Sequence, residues 1–204
     1  MLLHQPISTV MPEAYGGELP SRAQVIEAAA AAYDVEPGLV AAFILAEQRD
    51  QSTLEDAAEY VGGTSVLQGN TSIGLGQVVI STATNNGLFS DLLSSDSRQS
   101  LGHNDTAELL ASDEFNILAV AKYIRTVADQ GAGVDPSSLP GTHEIFPGLD
   151  LQAYSQNSAK WPDDNIRALA SEYTSAAWDD TVFPGWGYFV YEAYRDVANS
   201  GVFP

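Results

Sequence analysis

Cysteine is missing from this chain of 204 residues, so it has neither a disulfide scaffold nor a thiolate for metal binding or nucleophilic attack. That absence leaves the compartment open, since a cysteine-free chain tolerates oxidising and reducing surroundings alike. Basic residues are scarce: 8 Lys and Arg stand against 27 Asp and Glu, for a net charge of −19. Phosphate binding needs cationic side chains to displace counterions, so nucleic acid is excluded as a partner. Adsorption to anionic membranes or polyanionic wall polymers is disfavoured for the same reason. No window approaches the roughly 18 apolar residues of a membrane span, so no membrane insertion is expected. The opening "MLLHQPISTVMPEAYGG" has no basic segment followed by a continuous apolar run, and does not read as a signal peptide. His4, His103 and His143 are scattered without HExxH spacing, and calcium-loop and GxSxG patterns are lacking, so neither metal nor cofactor is expected.

What is present is a globular composition, 45% apolar, with mostly helical periodicity. Ser21 is placed to cap a helix over 22–34, and Pro37 to open another running to about Gln48. "TLEDAAEYV", 53–61, reads as a short helix stopped by Gly62-Gly63. The Gly-rich stretch 62–81 has no helical period and predicts a loop or small hairpin. Short helices are expected over 81–94 and 105–112. In the long helix predicted over 113–130, Ile117, Val120, Ala121, Ile124, Val127 and Ala128 line one face. The Pro/Gly-rich 131–150 predicts a surface excursion, before helices at 163–173 and 185–200. Residues 1–20 read as an N-terminal lead or linker remnant, and 21–204 as one mainly α domain.

Within "LVAAFILAEQRDQS" the apolar positions Val40, Phe43 and Ile44 lead to a carboxylate, Glu47. Burial beside those side chains, and the negative end of the helix dipole, would raise its pKa and suit it to donate a proton. Arg49 could oppose the shift, and an ordinary solvated Glu at a helix end fits this segment equally well. Downstream, "TSIGLGQVVISTA" sets Gly74 and Gly76 around Leu75, followed by Gln77. This is either a plain tight turn or a place where backbone and an amide approach a bulky ligand. The three tryptophans and nine tyrosines suit a core or a sugar-lined cleft.

Taken together, "FILAEQRDQS", "SIGLGQVVISTA", "EFNILAVAKYI" and "ALASEYTS" resemble the lysozyme-like superfamily of soluble lytic transglycosylases and goose-type lysozymes. The likeness extends to a divergent branch, the lysozyme domains of type VI secretion peptidoglycan-hydrolase effectors. In that family a helix ending in Glu-Ser is followed by a GLMQ turn, an Asn-Ile/Leu helix start and an AYN-G motif. Glu47 stands at the catalytic glutamate, Gly74-Leu75-Gly76-Gln77 at the turn, Asn116-Ile117 at the helix start and Tyr173 at the last tyrosine. Gln48 replaces the serine, Gly76 the methionine, and Glu172 and Thr174 flank Tyr173 in place of Ala and Asn.

The resemblance implies a mainly α, lysozyme-like helical domain with a small loop or β-hairpin element. It implies cleavage of the β-1,4 bond between N-acetylmuramic acid and N-acetylglucosamine, with Glu47 as general acid. Gln77, Tyr173, Ser72 and Gly74 would bind substrate, and Asn116 would tie the long helix. Hydrolysis needs a second carboxylate, whereas a transglycosylase closes the muramic 6-hydroxyl on C1. Asp56 and Glu59, three apart on one helical face, are the leading candidates, although an acidic solvated helix explains them too. A non-catalytic glycan-binding module is the rival of another class. The implied partners are peptidoglycan, a cognate immunity protein and a secretion-apparatus carrier. The protein is then expected to act in the periplasm or cell wall of a target bacterium, secreted without its own signal peptide.

Overall fold

A computed structural model of the chain describes residues 20–50, 70–92, 101–174 and 177–203. The helix expected at 53–61, with Asp56 and Glu59, lies outside the described residues. Among those described there are eight α-helices, short 3-10 turns and one two-stranded hairpin.

Helix α1, Arg22–Ala32, starts from a reciprocal cap. The Ser21 hydroxyl accepts from the Gln24 N–H at 3.3 Å, and the Gln24 side chain accepts from the Ser21 N–H at 2.8 Å. Helix α2, Pro37–Asp50, is opened by its proline. Leu39, Val40, Ala41, Ala42, Phe43 and Ile44 are all at most 1% exposed. The helix is therefore enclosed on every side, more deeply than a single apolar stripe implies. It packs against α1, the long helix α5 and the last helix α8.

Strands β1, Ser72–Ile73, and β2, Val78–Val79, pair antiparallel, with Ser72 opposite Val79 and Ile73 opposite Val78. The Gly74–Gln77 turn joins them, and β2 runs directly into α3, Ile80–Asn85. A 3-10 turn, Ser90–Leu92, follows where a longer helix is expected. Next come α4, His103–Leu110, and α5, Asp113–Ala132. The six predicted stripe residues of α5 are fully buried. Its exposed face carries Lys122, which holds the 87–91 turn through Gly87 O, Ser90 Oγ and Asp91.

The 131–150 segment is not a surface excursion. Leu139, Thr142, Phe146 and Leu149 are buried, and the chain folds into a short helix α6, Pro140–Ile145. Distant aspartates stand in for the hydrogen bonds that Pro and Gly cannot arrange locally. Asp180 accepts from the Gly141 and Thr142 N–H groups at 2.6 and 3.0 Å, and Asp164 from the Gly148 N–H at 2.8 Å. Helices α7, Asp163–Tyr173, and α8, Pro184–Ser200, then pack against each other. The buried apolar residues form one cluster from Val25 to Val197. Trp161 and Trp178 belong to it, flanking Tyr154, and the Trp178 indole donates to Val127 O at 2.8 Å.

Candidate active site

The site assembles where the C-terminal end of α2 meets the hairpin turn. Asn116, fully buried on α5, holds that turn. Its amide donates to Ile73 O at 2.7 Å and Leu110 O at 3.0 Å, and its Oδ1 accepts from the Gly76 N–H at 2.7 Å. Two glycines make this approach possible. Gly74 has φ +81°, and a Cβ there would lie 2.2 Å from Asn116 Nδ2; a Cβ on Gly76 would lie 2.3 Å from Val120 Cγ2. Gly76 thus replaces a bulkier residue because the turn sits directly on α5.

Gln77 takes up a left-handed backbone, φ +44°, at the end of the turn. Its amide donates to Gly74 O at 2.9 Å and accepts from the Ser72 hydroxyl at 2.8 Å. Ser72 and Gly74 therefore serve the turn and do not line the pocket beyond it, whereas Gln77 does both. On the other side, Gln48 Nε2 donates to Leu75 O at 3.0 Å, tying the end of α2 to the turn across 27 residues of chain. A serine is too short to make this contact, so Gln48 supplies the turn with a tether that the family's serine could not.

The pocket, about 150 Å³, is lined by Glu47 and Gln77, by Tyr123 and Tyr173, and by Thr82 and Thr174, with Val78 and Val79 as its apolar wall. That is room for a few waters or for a substituent of a sugar. Tyr173, at the end of α7, is 8% exposed and wedged between Phe43 and Tyr123, with both ring centroids at 4.5 Å. Among the described residues its hydroxyl has no hydrogen-bond partner. Neither Glu47 nor Tyr123 has one there.

This environment sets the proton chemistry. Burial first, and the Asp50 charge second, push the Glu47 carboxyl up from 4.5 to about 7. Arg49 does not oppose the shift, since its guanidinium is engaged by Asp196 of α8 at 2.7 Å. Burial lifts the Tyr123 phenol to about 12. Burial, then the neighbouring Glu47 and Tyr123 charges, hold Tyr173 well above the ordinary phenol range. Both phenols are therefore neutral donors at any pH where Glu47 titrates. Asp56 and Glu59 lie outside the described residues, and Glu47 is the one carboxylate among the described lining residues. Among the described residues no group of three or more His, Asp or Glu could hold a metal ion.

Sequence reasoning passed over Tyr123 and Thr82. Tyr123 was within reach, because Asn116, Val120 and Tyr123 follow i, i+4, i+7 and so share the face of α5 that meets the turn. Residues 1–129 match the family described as "T6SS, Peptidoglycan muramidase Tse3, catalytic domain". The chain belongs to this family. The matched part carries Glu47, the hairpin turn, Asn116 and Tyr123. A relative, the peptidoglycan muramidase Tse3 of Pseudomonas aeruginosa (strain PAO1), is 54% identical over 201 residues, which takes in Tyr173. That alignment covers 98% of this chain and 49% of the relative, so the chain spans about half the length of the curated relative it matches.

Proposed function

We propose that the chain is a muramidase domain that cuts peptidoglycan glycan strands at the β-1,4 bond between N-acetylmuramic acid and N-acetylglucosamine, with Glu47 as general acid. The observation that carries this reading is the Glu47 carboxyl, lifted to about 7 in a pocket where nothing described binds it. Held protonated near neutral pH, it gives its proton to the glycosidic oxygen as the bond to the leaving sugar breaks. Charge then develops at C1, and water is delivered there by a second carboxylate, for which Asp56 and Glu59 are the candidates. Gln77 and Tyr173 hold the sugar at the mouth of the pocket. The relative is named a peptidoglycan muramidase; the same activity here, in the periplasm or wall of a target bacterium, is consistent with delivery by a type VI secretion carrier. A cognate immunity protein is the expected protector of the producing cell.

One observation favours a second reading: Glu47 is the lone carboxylate among the described lining residues. A lytic transglycosylase needs no other, because the muramic 6-hydroxyl acts as the internal nucleophile. A merely glycan-binding module is less well supported. The changes at Gln48 and Gly76 that would argue for it are accounted for by a tether and by contact with Val120. Mass spectrometry of muropeptides released by wild type and by Glu47→Gln separates all three readings. Hydrolysis gives reducing products, transglycosylation gives 1,6-anhydro products one water lighter, and a binding module gives none. The variant should release none.

A further inference from the structure

Arg49 stands between two carboxylates in the sequence, with Asp50 beside it and Glu47 two residues before. Its guanidinium turns instead to Asp196 of α8, 147 residues away in the chain, at 2.7 Å. In a chain with 27 acidic residues against 8 basic ones a cation has many partners within reach, so the choice of this one is informative. Helix α8 is held in place to make the bridge. It packs against α2, and at the other end of α2 the Tyr194 hydroxyl donates to Glu36 Oε2 at 2.6 Å. Yet among the described residues α8 lines none of the pocket, and it lies outside the 1–129 stretch that the catalytic-domain family matches.

We propose that Asp196 is a positioning residue for the general acid: by drawing the Arg49 guanidinium onto α8, it keeps a positive charge away from Glu47 and Asp50 and so lets Glu47 hold its proton. A cation beside a carboxylate favours the charged form. Released from Asp196, Arg49 has Asp50 and Glu47 as its neighbouring carboxylates, and engaging either one favours loss of the Glu47 proton. Pairing with Glu47 does so directly. Pairing with Asp50 cancels the like charge that is the second cause, after burial, of the raised Glu47 pKa. The other groups around Glu47 exert no such control. Tyr173 from α7 and Tyr123 from α5 are neutral where Glu47 titrates, the hairpin presents the uncharged Gln77, and α1 adds no lining residue. On α8 itself, Arg195 acts on the Tyr191 phenol, and Glu192 is exposed to solvent. That leaves Arg49, at the end of the acid's own helix, as the cation whose placement matters. The inference rests on Glu47 as the general acid and adds to that reading the residue that guards its proton.

Asp196→Asn keeps the shape and removes the charge, and with the side chain 57% exposed little packing is at stake. In this variant the Glu47 carboxyl, followed by NMR, should titrate roughly half a pH unit lower than in wild type, the scale on which exposed charges act. The alkaline limb of the pH–rate profile should move with it. Adding Arg49→Gln should return both to the wild-type position, because the released cation is then gone. The Asp196→Asn shift should also shrink as salt screens it. Two results would overturn the proposal. One is an Asp196→Asn titration that matches wild type. The other is a shift that persists in the double variant, which would place the effect in the packing of α8 and not in the charge of Arg49. The NMR titration needs no turnover, so it is judged apart from the muramidase reading, which fails if wild type releases no fragments that Glu47→Gln does not.

Discussion

Two groups of polar side chains lie within a few residues of one another and are treated in opposite ways. Around the hairpin turn the side chains are spent on the fold: Asn116 makes three hydrogen bonds, Gln77 two and Ser72 one, and Gln48 donates to Leu75 O, all at 2.7–3.0 Å. In the pocket beside it Glu47, Tyr123 and Tyr173 are left without partners among the described residues. A protein that satisfies one set and withholds partners from the next is dividing architecture from chemistry. Leaving a buried polar group unsatisfied lowers stability, so the Tyr173 hydroxyl, buried against the pocket without a partner among the described residues, is most economically explained by a ligand that completes it.

Substitutions can test that division. The largest effect is expected from Glu47→Gln, which keeps the shape and removes the proton. Glycan cleavage should fall by about 10²–10⁴-fold, with co-sedimentation on peptidoglycan retained. Asn116→Ala should act on the other side. It strands the Gly76 N–H and the carbonyls of Ile73 and Leu110, and should cost about 3 kcal/mol of stability in urea unfolding. If Asn116→Ala lost activity while unfolding like wild type, the assignment of Asn116 to architecture would be wrong.

Titration gives a finer test. The folded pKa of Glu47 lies above its ordinary value, so the native state binds the proton more tightly than the unfolded chain. Its contribution to stability is fully present below about 4.5 and is lost as pH rises through about 7. Glu47→Gln should remove this dependence and be relatively more stable at pH 8 than at pH 4, by about 2 kcal/mol after solvent screening. Thermal melts of both proteins across that range would check it. Parallel pH curves would mean the carboxyl is not perturbed.

The tether is a smaller lever. Gln48→Ala releases Leu75 O without touching the pocket lining, and should lower the rate about tenfold, mostly in kcat, as the acid loses its fixed distance from the turn. Gln48→Glu, which offers the carbonyl no donor, should not rescue it. Asp50→Asn is expected to have the least effect. It removes the secondary cause of the raised Glu47 pKa, so the alkaline limb of the pH–rate profile should move to lower pH.

The same division separates what could be read from the sequence from what could not. Ser21 as a cap, the α5 stripe and the helical position of Glu47 follow local periodicity and were legible without coordinates. The hairpin was legible only as a choice between loop and strand, because two residues per strand give no alternation to count. Long-range contacts were opaque. Nothing near 131–150 announces that Asp164 and Asp180 will supply its missing caps. Nothing near Arg49 reveals Asp196, so the direction of the Glu47 shift stayed open until α8 was in place. The meaning of Gln48 and Gly76 also reversed once their neighbours were known: one is a tether and the other a contact surface for Val120.

The separation of chemistry from architecture rests on the protonation state of one side chain. NMR titration of selectively labelled glutamate carboxyl carbons, with Glu47→Gln identifying the resonance, measures it directly. A midpoint near 7 is expected. A midpoint near 4.5, the ordinary value, would show a solvated carboxylate and contradict the assignment of Glu47 as the general acid.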